Sequence, residues 1–122
     1  MGGLYAIEIE PEVRYWLSGP TDRDFGRADF LVGLLADRAE DLGEPYTRHL
    51  GGKVRELRIH LLSQQTRVTY WLAPGRRVIL LTVFRKKRGA EVAEVARAIQ
   101  AQKWCEAEHG PAHETLDREV QT

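Results

Sequence analysis

Residues 53–87 read KVRELRIHLLSQQTRVTYWLAPGRRVILLTVFRKK, and the fold turns on how this stretch is read. Lys53–Leu61 alternates, with Leu57, Ile59 and Leu61 on one face and Glu56, Arg58 and His60 on the other. That is the period of a strand with one buried face. Leu62–Gln65 reads as a loop. Thr66–Leu72 then sets Val68, Tyr70 and Leu72 against Arg67, Thr69 and Trp71. Ala73-Pro74-Gly75-Arg76 has the composition of a turn, and Val78–Phe84 is apolar on both faces, as a central strand is. The connections are too short for crossovers, so the three strands are predicted to form an antiparallel meander.

Working outward, Leu4–Glu10 alternates with Tyr5, Ile7 and Ile9 on one side and is a fourth strand. Pro11 and Glu12 suit the first turn of a short helix ending at Leu17. Phe30, Leu31, Leu34, Leu35 and Leu42 fall at helical spacing, which predicts a second helix over 24–42 closed by Gly43. A last helix begins at Ala90 with Val92, Val95, Ala96 and Ile99 as its apolar stripe. The expected architecture is α+β: a sheet of about four strands, two helices before the meander and one after it. With 122 residues, 43% apolar, the chain is long enough for one core. The expected division is a single domain over 1–109 and a polar tail over 110–122.

The net charge is zero, but the charges are sorted along the chain. Residues 1–47 carry 4 basic and 10 acidic side chains, residues 48–88 carry 11 basic and 1 acidic (Glu56), and residues 89–122 carry 3 basic and 7 acidic. A basic block of this kind in a neutral chain is the footprint of a polyanion partner. The single cysteine, Cys105, excludes an internal disulfide and suits a reducing cytoplasm. The start MGGLYAIEIEPE lacks the pattern of a signal peptide, and the longest apolar run is far too short for a bilayer. Cys105, His109 and His113 lie four apart, but Gly110-Pro111 interrupts that spacing, and it reads as chance in a polar tail. There is no Walker loop, dinucleotide fingerprint or serine-nucleophile signature.

In a meander, alternate residues of neighbouring strands share a face. If helices cover one face, the other displays Arg58, Arg67, Phe84 and the Lys86/Lys87 pair. Cations interleaved with aromatics suit RNA, since cations hold phosphates and ring faces stack on unpaired bases. The candidate RNA-binding residues are Arg55, Arg76, Arg77, Phe84, Arg85 and Arg88. Structural roles compete with these readings: Arg58 pairing with Glu56, Phe84 in the core, His60 as a surface histidine, Arg85–Arg88 as a solvated strand end.

The ordered set Gly52-Lys53-Val54-Arg55-Glu56-Leu57-Arg58, Arg67-Val68-Thr69-Tyr70 and Leu80-Leu81-Thr82-Val83-Phe84-Arg85-Lys86-Lys87 resembles the phage-derived HigB-like branch of the RelE/HigB toxins. That branch carries L-x-E-L-R, Y-R-V-x-Y and L-L-H-x-F-x-K-K in this order, and the resemblance spans most of 4–104. It implies a curved antiparallel sheet and a type II toxin that cleaves mRNA on the ribosome. The partner it implies is an antitoxin, usually a helix-turn-helix protein. Arg58 falls on the last arginine of the first motif, Arg67 on that of the second, and Phe84, Lys86 and Lys87 on the third. Thr82 stands where the branch often has histidine, Thr66 where it has an aromatic, and the Thr-Pro that often opens the last helix is missing.

The implied chemistry needs no metal or other cofactor. The RNA 2′-OH attacks its own adjacent phosphate and the 5′-oxygen leaves. The protein must take a proton, give a proton and stabilise charge on the phosphorane. Arginine suits only the last task, so Arg58 and Arg67 are the charge stabilisers. Thr82 cannot exchange a proton near neutral pH. Lys86, Lys87 and His60 are then the candidates for proton transfer, because crowded lysines and histidines can titrate in the working range. Two other classes fit the same pattern. One is a non-catalytic nucleic-acid-binding regulator or ribosome-associated module. The other is a toxin of this fold aimed at a DNA topoisomerase.

Overall fold

The computed structural model describes residues 4–19, 22–61, 64–87, 89 and 91–109. The 110–122 tail, Arg88 and His113 lie outside them. The chain runs β1 (Ala6–Ile9), α1 (Pro11–Leu17), α2 (Asp22–Asp37), β2 (Thr47–Gly51), β3 (Val54–His60), β4 (Gln65–Ala73), β5 (Arg77–Arg85) and α3 (Glu91–His109). The α+β expectation holds, and the predicted meander is β3-β4-β5. The sheet has five strands rather than four, in the order β1-β5-β4-β3-β2. The added strand, β2, pairs antiparallel with β3 at the edge. Its sequence, Thr-Arg-His-Leu-Gly, has no apolar alternation, because an edge strand of which only Thr47 is buried needs none. β1 is the one parallel member and lies against β5, with Ile7 opposite Val78 and Ile9 opposite Leu80.

One sheet face carries the larger core. Leu57, Ile59, Val68, Tyr70, Val78 and Leu80 pack there against Val13 of α1 and Ala28, Leu31 and Leu35 of α2. α2 stops at Asp37, short of the expected 42. Ala39 and Leu42 stay buried, but in turns, with the Leu42 N–H donating to the Arg38 carbonyl.

The second face is not free of helices. α3 lies across part of it and buries Val54, Trp71, Ile79 and Leu81 under Ala98 and Cys105. Trp71 has the predicted parity but is covered. The stripe of α3 is also rotated from the expected one: Ala98, Gln102 and Cys105 are buried, while Val92 and Ala96 face solvent. Burial pushes the Cys105 thiol up to about 12. Close approach of α3 to the sheet edge explains Gly51, since a Cβ there would sit 3.2 Å from Ile99 Cδ1. No helix among the described residues is long and apolar enough to cross a membrane.

β5 contains a register shift. Thr69 pairs with Thr82 but Tyr70 with Leu80, so Leu81 has no partner of its own. A bulge of this kind puts consecutive side chains on one face. Leu81 packs under α3, and the Thr82 hydroxyl meets the Thr69 hydroxyl at 2.6 Å on that same side. Beyond the bulge, the alternation carries Phe84 and Lys86 onto the α3 side of the sheet.

Candidate nucleic-acid interface

Three rows cross the open end of that face. Arg58, Arg67 and Phe84 are opposite one another on β3, β4 and β5. One step inward, Arg48, Glu56, Thr69 and Thr82 form a second row. One step outward, His60 pairs with Gln65, whose carbonyl accepts the Lys86 N–H at 2.9 Å. The structure therefore brings together Arg58 and His60, Arg67, and Phe84 and Lys86, from three separate stretches of the chain.

Glu56 sits at the centre and is 1% exposed. Its Oε2 accepts from Arg58 Nε at 3.2 Å and lies 3.6 Å from Arg67 Nε. Its Oε1 is buried with no hydrogen-bond partner among the described residues. Arg67 is 5% exposed, and its terminal nitrogens make only long contacts, to the Thr66 carbonyl at 3.4 Å and Gln65 Oε1 at 3.5 Å. Burial pushes the Arg67 guanidinium below its ordinary value; Glu56 opposes that, and neighbouring Arg58 adds to it. It remains a cation throughout the biological range. Gripped through Nε, the arginines keep terminal N–H groups available for an anion's oxygens. Sequence reasoning treated Glu56 only as a partner of Arg58. Its parity with Arg58, as the sole acid of the basic block, was the signal for a carboxylate shared by two arginines.

Lys86 lies 4.0 Å from Glu91 at the start of α3. It borders an open concavity of about 600 Å³ together with Arg85, Lys87 and Gln65. Arg85 points to the opposite sheet face, where it borders a groove beside α1.

Three of the predicted RNA contacts lie elsewhere. Arg77 is 1% exposed, with Nη1 3.6 Å from Glu8 and Nε donating to the Pro74 carbonyl at 2.7 Å, so it is a core residue. Arg55 has the other parity on β3 and donates to the Tyr70 hydroxyl and Thr47 Oγ1 on the α2 face. Arg76 occupies the β4–β5 turn with φ 58° and lies 4.6 Å over the Tyr5 ring. Six residues of strand separate Arg67 from Ala73, which puts Arg76 roughly 20 Å from the arginine row at ~3.3 Å per residue.

Fold and charge together define a small α+β domain whose sheet end carries a cationic row around one buried carboxylate. Residues 16–103 match the family model described as "Phage derived protein Gp49-like (DUF891)". The chain belongs to this family of phage-derived Gp49-like proteins, in line with the branch its ordered motifs resemble. No curated protein shows significant similarity to it. Among solved structures it is similar to the E. coli toxin RelE, a double arginine-to-alanine mutant in the free state. The identity is 17% and the TM-score 0.49, covering 82% of this chain and 96% of that one.

Proposed function

We propose that the protein is the toxin of a type II toxin–antitoxin pair and cleaves mRNA on the ribosome, in the cytoplasm, by metal-independent attack of the 2′-OH. The observation that carries this reading is the row Arg58–Arg67–Phe84 around Glu56, in a chain of this family. The terminal nitrogens of Arg58 and Arg67 take the phosphate and offset the charge that grows on the phosphorane. The 2′-oxygen bonds to phosphorus as it loses its proton, and the 5′-oxygen leaves as it gains one. His60 and Lys86 border the outer edge of the row, and proton transfer falls to Lys86 or Lys87, with His60 as the other candidate. Alignment of the strand by protein and ribosome together supplies further rate. The cognate partner is an antitoxin, a helix-turn-helix protein carrying an acidic segment.

The non-catalytic reading has one observation in its favour. Thr82 occupies the family's histidine position and its hydroxyl is buried against Thr69, so no proton-exchanging group stands there. Induced expression with primer extension on cellular mRNAs separates the two. The toxin reading expects growth arrest and cuts inside codons of translated messages. Robust growth with intact mRNA, at confirmed levels of soluble protein, favours an RNA-binding regulator instead.

A further inference from the structure

A groove lies on the other side of the sheet end, between α1 and the ends of β4 and β5, with a volume of about 710 Å³. Its walls include the aromatic residues Tyr15 and Trp16, together with Gln64. Tyr15 is 83% exposed although it sits on a helix that packs its neighbours into the core. Thr66 lines the same groove. It is 1% exposed, and its Oγ1 has no hydrogen-bond partner among the described residues. A buried hydroxyl left unpaired is costly, and a polar edge entering the groove would give it a partner. Arg85 stands on the rim, one residue from Lys86, so the groove is continuous with the cationic row around the end of β5.

Resting on the RNA-cleaving reading above, we propose that this groove is a second subsite that takes an unpaired nucleobase of the bound strand. The base stacks on Tyr15 and meets Gln64 and Thr66 with its polar edge. Its backbone stays outside, on Arg85 and Lys86. Two features favour a base over other occupants. The exposed Tyr15 ring offers a face to any base. The acids Glu12 and Asp24 also line the groove, which disfavours a phosphate inside it but not an uncharged ring. Thr66 is adjacent to Arg67 in β4 and faces the other way. One strand can therefore present a phosphate to one face and a neighbouring base to the other by turning over the sheet end.

The test uses the full chain and a short single-stranded RNA carrying 2′-O-methyl groups, which blocks cleavage, with an abasic twin. Binding is read by fluorescence anisotropy at low salt. The wild type should bind the base-bearing strand more tightly than the abasic one. Tyr15→Ala should weaken the base-bearing strand by roughly 5- to 150-fold, the range implied by losing one base–aromatic stack, and close the gap between the two strands. Tyr15→Phe should restore it. The salt slope should stay unchanged in Tyr15→Ala, whereas Lys86→Ala should lower it by about one counterion. Thr66→Val should weaken base-bearing RNA several-fold while leaving the melting temperature equal or higher, a combination that a purely structural hydroxyl would not give. Wild-type binding with no preference over the abasic strand, or a silent Tyr15→Ala, overturns the subsite and leaves the RNA-cleaving reading standing. Failure of the wild type to bind either strand also overturns the subsite, while the RNA-cleaving reading stands or falls separately on primer extension in cells. Intact RNA binding in Tyr15→Ala with loss of antitoxin binding makes the groove a protein-docking site and overturns the inference.

Discussion

Arg67 meets Glu56 through Nε, which leaves its terminal nitrogens to the long contacts with Thr66 and Gln65. On the proposed function, an incoming phosphate would replace weak partners rather than strong ones, which suits Arg67 to charge that arrives with a substrate. Arg67→Ala should lower single-turnover cleavage by roughly 10²–10³, the loss typical of one electrostatic donor, with ribosome binding nearly unchanged. Glu56 has a different role. Removing one partner of a buried ion pair is costly because the other charge is left behind. Glu56→Ala should destabilise the fold by about 3 kcal/mol in urea titrations, at the lower end of that range, since half-buried Arg58 can turn to solvent. Glu56→Gln keeps an acceptor and should cost less. The proton-transfer groups separate by pH: whichever of Lys86→Ala, Lys87→Ala and His60→Ala removes one should alter the pH–rate profile as well as the rate. If all three change only binding, no side chain of the basic block does acid–base work.

At the scale of elements, three pieces meet at one carboxylate. Glu12 of α1 accepts from the Val83 N–H of β5 at 2.9 Å and pairs with Arg97 of α3, which also reaches Glu94. Burial works to raise the Glu12 carboxyl, but the Arg97 hydrogen bonds, the Val83 N–H and the Arg97 charge outweigh it and hold it below its ordinary value. A depressed carboxyl contributes stability that is complete above the unfolded value near ~4.3 and is lost as pH falls through the folded one. Urea midpoints from roughly pH 6 to pH 3 should therefore fall less steeply in Glu12→Gln than in the wild type. The same elements explain what the sequence could disclose. Alternation in β1, β3 and β4 and helical spacing in α2 are local signals, and they placed the meander, the helices and the Arg58–Arg67 juxtaposition. The bulge at Leu81 was not local. Uninterrupted alternation would have put Phe84 on the face of Leu80, and only pairing with β4 carries it across to Arg67. β2 and the docking of α3 escaped for a related reason. An edge strand needs little apolar pattern, and Gln102 and Cys105 bury without looking like a stripe. Parity alone could have assigned Arg55 to the covered face. The burial of Arg77 depended on Glu8, about seventy residues away in the chain.

Across the whole molecule, zero net charge hides an uneven arrangement. The acidic stretches build α1, α2 and α3, while Arg58, Arg67, Lys86 and Lys87 gather at one sheet end, away from Arg76 at the far turn and the buried Arg77. RNA affinity should fall with salt with a slope set by the few cations of that end. Arg76→Ala, at the far turn, should leave the slope unchanged. An antitoxin that neutralises the protein should cover Arg58, Lys86 and Lys87 with an acidic segment. A complex that leaves them open and moves nothing near them would point to exclusion from the ribosome by bulk. The parallel pairing of β1 with β5 has a consequence for the order of synthesis. A nascent chain that stops short of Arg77 has a first strand with no neighbour, and one that stops short of Val83 still has a Glu12 without the Val83 amide to accept from. Arg58, Arg67 and the Glu56 between them have by then been made, but Phe84 and Lys86 have not, and the row is incomplete. On the proposed function, the protein cannot arm itself against the ribosome producing it until almost the last strand has emerged, and that interval gives a waiting partner time to bind first.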